Sequence, residues 1–217
     1  MKVIKNIRYE HVAFVFEAGG QRLGLDFGAF TSAETLNGLP KLDAVLVSHR
    51  HGDHLSESNL RTLGAPVSAP SDVVALLNDG VEAHTLRLGE SNLVAGFKVT
   101  PTQADHGPGV TSPVENYGFV IEQDGCRIYF VGDMAVATPP PDGPFDVVLI
   151  PVGGGGFVFD PGQAFGFIKV IGYRGPVVPI HDAGPAEPDC FERFTRLAEG
   201  WCEVVVLGVG QSLEVGQ

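Results

Sequence analysis

The segment 48–54, Ser-His-Arg-His-Gly-Asp-His, places three imidazoles and a carboxylate within six residues, directly after the short apolar run 42–47. A run of this length and branching is typical of a strand buried in a sheet, so the polar cluster is expected where that strand ends. Crowded imidazoles are costly without a metal, because they lose water and become cationic together as pH falls. Neutral imidazole nitrogens and a carboxylate oxygen are ordinary ligands of zinc and similar divalent ions. The segment therefore predicts a metal site; the alternative is a solvated histidine-rich turn.

The length of 217 residues fits one domain, predicted as 1–217, or one domain built from two similar halves. No stretch approaches the roughly 20 apolar residues needed to cross a bilayer, and the first residues lack the apolar core of a secretory signal. The three cysteines, Cys126, Cys190 and Cys202, are odd in number and too widely spaced for a disulfide framework or a metal clip. We expect a cytoplasmic protein with no membrane partner.

The chain carries a net charge of −12, from 26 acidic and 14 basic residues. Binding to a phosphate backbone depends largely on Lys and Arg, so this composition argues against a large nucleic acid as the partner. A small anionic ligand is not excluded, because metal ions dominate the electrostatic field of their own site. The expected partner is a small-molecule substrate, and the sequence leaves the oligomeric state open.

Alternating and branched apolar segments predict strands through most of the chain. Two pairs of strands flank Gly19-Gly20 and Asp124-Gly125, which favour tight hairpins. The predicted strands are 12–17, 22–26, 43–48, 97–102, 117–122, 126–131, 146–152, 177–180 and 203–207. The predicted helices are 53–63, 71–78, 161–171 and 188–197. Because strands precede helices in each half, we predict an α/β protein in which two sheets pack face to face with helices outside.

Further polar residues follow other predicted strands in the same way as the segment 48–54. His106, Asp133 and His181 each come just past the C-terminal end of an apolar run. Functional groups concentrate on loops at such sheet edges, where a rigid scaffold holds them. We therefore expect these three residues to meet His49 and His51 in one site.

The order His-x-His-x-Asp-His, a lone His, an Asp in a Gly-Asp pair and a final His after a strand resembles the metallo-β-lactamase superfamily, over about residues 11–181. The resemblance implies a four-layer αββα sandwich of two similar halves, with the metal site at one edge. It also implies two divalent metal ions, with Zn2+ expected first and Mn2+ or Fe as alternatives. One ion would be bound by His49, His51 and His106, and the second by Asp53, His54 and His181, with Asp133 bridging both.

Four other residues near the motif have proposed roles, each with a structural alternative. By the resemblance, Asp26 supports the metal loop from behind, as outer partners orient metal ligands; a purely structural role is an equal alternative. Ser48 is expected to brace the same loop. His11 would face the cavity as a substrate-binding or proton-relay group, or else be a structural histidine bonded to a partner. Arg50 would face an anion, or else be solvated or salt-bridged.

The glycine run 153–156 follows the predicted strand 146–152. It is not a nucleotide phosphate loop, because no Gly-Lys-Ser/Thr follows it. Three interpretations stay open at this point: close approach of the backbone to a ligand, tight packing, or a mobile loop.

Four short segments are similar to a compact subgroup of the superfamily that includes ascorbate-6-phosphate lactonase. They are Glu-His-Val-Ala-Phe at 10–14, placed in a first strand, Leu-Asp-Phe at 25–27, Val-Gly-Asp at 131–133 and Pro-Val-Gly-Gly at 151–154. This closer resemblance implies a small lactone or ester-type substrate that can be anionic.

The implied activity is hydrolysis by a hydroxide shared between two metal ions about 3.5–4 Å apart. Asp133 would hold the ions together, and Asp53 would orient the nucleophile. The sequence contains no Gly-x-Ser-x-Gly elbow, so Ser-His-Asp catalysis has no support. The alternatives are a phosphodiesterase of the same fold, an iron-dependent sulfur dioxygenase-like redox enzyme, and a non-catalytic, metal-stabilised binding protein.

Overall fold

A computed structural model describes residues 3–78, 80–110, 114–182 and 188–216. The strands are β1 Val3–Arg8, β2 Phe14–Ala18, β3 Gln21–Leu25, β4 Ala44–Leu46, β5 Val67–Ala69, β6 Ala83–Thr85, β7 Asn92–Val94, β8 Phe97–Gln103, β9 Tyr117–Gln123, β10 Cys126–Phe130, β11 Val147–Pro151, β12 Pro176–Ile180, β13 Glu203–Val204 and β14 Ser212–Gly216. The α-helices are α1 Ala33–Gly38, α2 Glu57–Leu63, α3 Ser71–Val74, α4 Pro161–Val170 and α5 Cys190–Ala198, and a 3-10 turn spans Gly107–Gly109.

These strands form two seven-stranded sheets that repeat one pairing pattern. The first sheet has the order β14-β1-β2-β3-β4-β5-β6 and is antiparallel from β14 to β3 and parallel from β3 to β6. The second has the order β7-β8-β9-β10-β11-β12-β13 and is antiparallel from β7 to β10 and parallel from β10 to β13. The topology therefore agrees with the prediction of two similar halves.

The two sheets pack face to face over a core rich in phenylalanine. Along β2, Phe14 and Phe16 enter this core while Val15 joins the cluster on the opposite face, as the period of two in a strand requires. Phe119 and Phe130 of the second sheet enter the same core. Truncating a fully buried ring of this kind to alanine costs about 3–5 kcal/mol, so the sheet interface contributes strongly to stability.

Helices cover the outer face of each sheet. Leu60 of α2 and Val73 of α3 belong to the outer cluster of the first sheet. Phe167 of α4 and Phe194 of α5 belong to that of the second sheet. The layers run helix, sheet, sheet, helix, which confirms the predicted α/β class and the αββα sandwich. No helix within the described ranges is long and apolar enough to span a membrane.

The helix predicted at 53–63 begins later than expected. Residues 51–54 form a tight turn, in which the His54 N–H donates to the carbonyl of His51. The helix starts at Glu57, because the Ser56 hydroxyl caps it by accepting from the N–H of Asn59. Asp53 therefore lies in the turn, and its predicted place at a helix start is wrong.

Two further predicted elements are too long. The helix predicted at 71–78 ends at Val74, and the strand predicted at 203–207 is limited to Glu203–Val204. The sequence analysis also missed β1, α1, β5, β6, β7 and β14. Most of these elements are short, so their pattern carries little information.

Residues 10–13 form a turn rather than part of a first strand, which corrects the predicted placement of His11. The Ala13 N–H donates to the carbonyl of Glu10 at 3.0 Å, and β2 begins only at Phe14. His11 has a φ of +55°, in the left-handed region that L-residues seldom adopt. Its side chain is therefore aimed by a turn and not by strand alternation.

Candidate metal centre

The polar residues predicted at strand ends converge on one cavity of about 430 Å³. They come from the loop after β4 and from the residues that follow β8, β10 and β12. The lining consists of His51, Asp53, His106, Gly109, Val110, Asp133, Phe157 and His181. The structure therefore brings residues of the segment 48–54 together with His106, Asp133 and His181, as predicted.

Three overlapping groups of side chains place their ligand atoms within 4.8 Å of one another. They are His49, His51 and His106; His49, His54 and Asp133; and His11, Asp53, His54 and His181. Every residue predicted as a metal ligand belongs to at least one group. His11 is an addition that the sequence analysis did not place among the ligands.

The first group presents imidazole nitrogens to one point. His49 Nε2 lies 2.9 Å from His51 Nδ1. His106 Nδ1 donates to the carbonyl oxygen of Phe157 at 3.0 Å, which fixes the tautomer and leaves Nε2 buried without a hydrogen-bond partner. A buried, unpartnered nitrogen beside two other imidazoles fits a divalent ion that accepts nitrogen ligands.

Asp133 contacts imidazoles that belong to each of the three groups. Its Oδ2 is 3.2 Å from His54 Nε2, 3.3 Å from His181 Nε2 and 3.9 Å from His49 Nε2. Its Oδ1 is buried and has no hydrogen-bond partner. The Asp133 carbonyl accepts from Asn116 Nδ2 at 2.6 Å, a support that no motif in the sequence indicated. A carboxylate so placed can bridge two cations.

Asp26 and Ser48 lie behind the imidazoles. The Asp26 carboxylate accepts from the Ser48 N–H at 2.7 Å and from its hydroxyl at 2.6 Å. The same carboxylate lies 2.8 Å from His54 Nδ1, so that nitrogen donates and Nε2 is left for a metal. Ser48 Oγ also lies 3.0 Å from His49 Nδ1. Both residues thus contact ligand imidazoles on the side away from the cavity.

His11 and Arg50 contact other side chains and are not part of the cavity lining. His11 Nε2 lies 3.1 Å from Asp53 Oδ2, and its ring packs against that of His181 at a centroid distance of 4.2 Å. Arg50 Nε lies 3.5 Å from Asp72 Oδ2. Their roles toward a substrate therefore stay predictions.

Three residues of the site have backbone conformations that L-residues seldom adopt. His11, Asp26 and His181 have φ values of +55°, +51° and +54°. Such a conformation costs about 1–3 kcal/mol and persists only where the surroundings enforce it. The backbone is therefore bent at the positions that aim side chains at the metal centre.

The electrostatics of the metal-free site separate neutral from charged groups. Burial lowers the pKa of His49 and of His51, so these imidazoles are neutral and ready to bind a metal. Burial also lowers the pKa of His181, but Asp133 and Asp53 outweigh it and raise the value to about 9. Burial raises the pKa of Asp133, yet His181 and His54 hold it well below its usual range. The carboxylates are therefore ionised at neutral pH.

The loop 153–157 supplies backbone to the site. Gly154, Gly155 and Gly156 all have positive φ values, between +70° and +79°. A Cβ on Gly109 would lie 2.3 Å from the carbonyl oxygen of Gly156, so the loop packs tightly against the residues that follow His106. Tight packing is thus the interpretation that the structure supports for the glycine run.

Comparisons with known proteins agree with this arrangement. A family model described as a beta-lactamase superfamily domain matches residues 7–181. The chain is 30% identical over 226 residues to a UPF0173 metal-dependent hydrolase of Thermococcus kodakarensis, covering 94% of this chain and 96% of that relative.

Two solved structures are similar in fold. Igni18, a metallo hydrolase from Ignicoccus hospitalis, has a TM-score of 0.79 at 23% identity, covering 98% of both chains. The metallo-beta-lactamase fold protein YhfI from Bacillus subtilis has a TM-score of 0.78 at 15% identity, covering 99% of this chain and 100% of that one. At these identities the likeness establishes the fold alone.

Proposed function

Because this chain belongs to the beta-lactamase superfamily, among its UPF0173 metal-dependent hydrolases, we propose that it hydrolyses a small ester-type substrate, such as a lactone, with two bound divalent ions. One observation carries the proposal: imidazole and carboxylate atoms within 4.8 Å of one another form overlapping groups around Asp133. Buried, unbonded atoms of His54, His106 and Asp133 face this cluster, and they are the atoms that metal ions would satisfy.

The ligands divide into two sets that share one carboxylate. The first ion would be held by His49, His51 and His106, the second by Asp53, His54 and His181, and both by Asp133. Zinc suits this set of imidazoles and carboxylates best. When bound, the ions would supply Lewis acidity, which activates water and polarises the carbonyl group of the substrate.

Asp53 has a role that its surroundings define. Its carboxylate lines the cavity and is held by His11 and His181. Burial raises the pKa of Asp53, but the hydrogen bonds from His11 and His181 outweigh it and lower the value. In the loaded site a bound cation would also favour the ionised carboxylate, so Asp53 would orient the attacking water rather than deprotonate it.

Two expectations about the substrate are not carried into the proposal. No Lys or Arg lines the cavity among the residues that the structure describes, so no side chain there supports an anionic substrate. No contact in the cavity favours a phosphodiester or iron-dependent redox chemistry, and both enter as outcomes of the test. Membership of a family of metal-dependent hydrolases argues against a non-catalytic binding protein.

The test combines metal analysis with a substrate panel. Protein purified with a chelator is reloaded with Zn2+, Mn2+ or Fe2+, and metal content is measured by elemental analysis. We expect two ions per chain and hydrolysis of neutral esters or lactones. His106→Ala should lose one ion, whereas His84→Ala should lose none, because the His84 imidazole is exposed and pairs with Glu82. One ion per chain, or turnover restricted to a phosphodiester or to oxygen-dependent chemistry, would overturn the proposal.

A further inference from the structure

We propose that the substrate is an uncharged ester or lactone whose apolar acyl or aryl portion packs against Phe157 and Val110 beside the metal centre. This inference rests on the proposed function and narrows it to a substrate class. Three observations support it: an apolar part of the cavity lining, the backbone contacts that position this part, and the ion pairs that Arg8 and Arg50 form with other residues.

Phe157 and Val110 form the apolar part of the cavity lining. Phe157 is 51% exposed, so about half of the surface of this large apolar residue is accessible. Single exposed apolar residues are ordinary on protein surfaces. An exposed ring that lines a cavity with convergent polar groups is instead the usual composition of a small-molecule site.

The backbone holds the Phe157 ring in place. The Phe157 N–H donates to the carbonyl of Gly154, and the Phe157 carbonyl accepts from His106 Nδ1 at 3.0 Å. The neighbouring Gly156 packs directly on Gly109. The contacts that orient a metal ligand therefore also fix the backbone that carries an aromatic ring in the cavity lining.

A second exposed ring lies near the other metal group. Phe30 is 63% exposed and packs edge-on against the His11 ring at a centroid distance of 5.2 Å. Its loop is held to the metal loop, because the Ala29 N–H donates to the Gly52 carbonyl at 2.7 Å. A Cβ on Gly28 would collide with the backbone of Asp53. Phe30 thus adds an apolar surface next to His11, whose ring in turn packs against the cavity-lining His181.

Two arginines of the site region, Arg8 beside His11 and Arg50 within the metal loop, are engaged by other groups. Arg8 donates to the Leu207 carbonyl at 2.9 Å and pairs with Asp182 at 3.4 Å. Arg50 pairs with Asp72 at 3.5 Å. Both guanidinium groups thus have scaffold partners, and neither arginine belongs to the cavity lining.

Among the residues that the structure describes, the cavity lining contains no Lys or Arg. The segments 111–113 and 183–187, which follow Val110 and Asp182 in the chain, contain neither Lys nor Arg. A substrate carboxylate or phosphate away from the reacting group would therefore lose its hydration with no Lys or Arg partner among the described lining residues, which costs free energy. An uncharged substrate meets no such penalty.

The test uses metal-loaded protein and p-nitrophenyl esters of acetate, butyrate and hexanoate, with the mono-ester of glutarate as the charged member. We expect kcat/KM to rise about threefold per added methylene, the gain for burying most of a CH2 group. The glutarate ester should be about tenfold worse than the butyrate ester, because its carboxylate has no partner. Phe157→Ala keeps the carbonyl that holds His106 and should flatten the chain-length series.

Leu93→Ala is the control, because Leu93 is also a large, exposed apolar residue but lies on the edge strand β7, outside the cavity lining. It should keep the wild-type series. Binding of octanamide to metal-free protein, followed by calorimetry, gives a readout without turnover and should weaken about tenfold in Phe157→Ala, as expected for losing most of a buried aromatic contact.

The outcomes separate this inference from the proposed function. If the loaded enzyme hydrolyses the acetate ester but shows no chain-length series, prefers the glutarate ester, or keeps the series in Phe157→Ala, the apolar wall is not the specificity element and this inference fails alone. If two ions bind and no ester or lactone of any length is hydrolysed, the proposed function fails.

Discussion

The loops after β4 and β11 occupy equivalent places in the two sheets but contribute differently to the site. Each follows the strand that pairs in parallel with the last antiparallel strand of its sheet. The first, residues 48–54, contributes imidazoles and a carboxylate. The second, residues 153–157, contributes glycines, one carbonyl and one exposed ring. Of these two loops, the first thus supplies ligands and the second supplies shape.

The difference follows from how each loop is stabilised. In the first, the buried Ser48 and His54 are held by side-chain hydrogen bonds to Asp26. In the second, the backbone folds on itself, with the Gly154 N–H donating to the Phe159 carbonyl at 3.0 Å. A loop that carries ligands needs side-chain partners, whereas a loop that must approach another backbone needs positions without a Cβ.

The largest expected effect comes from removing a ligand from the first loop or from the bridge. His51→Ala and Asp133→Asn should each reduce hydrolysis by more than about 100-fold, since changes to outer partners alone cost 10- to 100-fold. The sheet core does not depend on these side chains, so circular dichroism should stay unchanged. His84→Ala serves as the control. Turnover within a few-fold of wild type in either variant would show that the first loop does not carry the chemistry.

Acidification should affect the first loop and its partners, because the second loop has no group that titrates near neutrality. Burial lowers the pKa of His54, but Asp133 and Asp26 outweigh it and raise the value well above the usual range. For His181 the pKa is raised to about 9. Both imidazoles are therefore protonated at pH 7 in the metal-free protein, and metal binding must displace these protons.

The sign of the pH dependence follows from these directions. A raised folded-state pKa stabilises the metal-free protein fully below about pH 6.5, and this stability is lost as pH rises toward 9. The metal-loaded protein should show the opposite slope, because zinc affinity at the second site should rise about 100-fold per pH unit while both imidazoles are protonated, or tenfold for each displaced proton. Thermal melting with and without zinc between pH 6.5 and 9 measures both slopes, and parallel curves would contradict the assignment.

A smaller effect is expected from Asp26, which acts through another residue. Asp26→Asn keeps the side-chain shape and tolerates the φ of +51°, but its amide would donate toward His54 Nδ1. The imidazole would then carry its proton on Nε2, which cannot bind a metal. We expect zinc affinity at the second site to fall about 10- to 100-fold. Titration with a zinc chelator measures this loss, which a purely structural Asp26 would spread over both sites.

The ligand residues could be predicted because their signals are local. They follow buried strands, as the loop 48–54 follows β4, Asp133 follows β10 and His181 follows β12. Strand ends meet at one sheet edge, so a residue that directly follows a strand in the sequence can be predicted to lie at that edge. The start predicted for the helix 53–63 was wrong for a related reason. An acidic residue such as Asp53 is typical of the first turn of a helix, but here it belongs to the metal loop.

The rest depends on contacts between residues far apart in the chain. β1 contains the buried polar residues Asn6 and Arg8, which do not suggest a strand. Their partners are the carbonyls of Leu213 and Leu207, about 200 positions away. The carbonyl of Phe157 holds His106 across 51 positions in the same way. Backbone partners leave no trace in residue types, so no pattern predicts them.

The second loop can be tested through its contact with Gly109. Gly109→Ala would place a Cβ 2.3 Å from the Gly156 carbonyl and push the loop away from His106. The affinity of the first metal site should then fall about tenfold, because His106 loses the carbonyl that orients it. Gly166→Ala is the control: this helical glycine has open space around its Cβ and should be neutral or slightly stabilising. Equal metal affinity in both variants would show that the packing of the glycine loop on Gly109 does not position His106.

The smallest expected effect concerns Arg50, the one cation within the first loop. If Arg50 serves the scaffold through Asp72, Arg50→Gln removes only a partly exposed ion pair, worth about 0–1 kcal/mol. Activity toward neutral esters should change less than about twofold, and the same small change should appear in Asp72→Asn, which removes the partner. A selective loss of activity toward the glutarate mono-ester in Arg50→Gln would instead make Arg50 an anion-binding residue. The first loop would then supply substrate contacts as well as ligands, and the division between a ligand loop and a shaping loop would no longer hold.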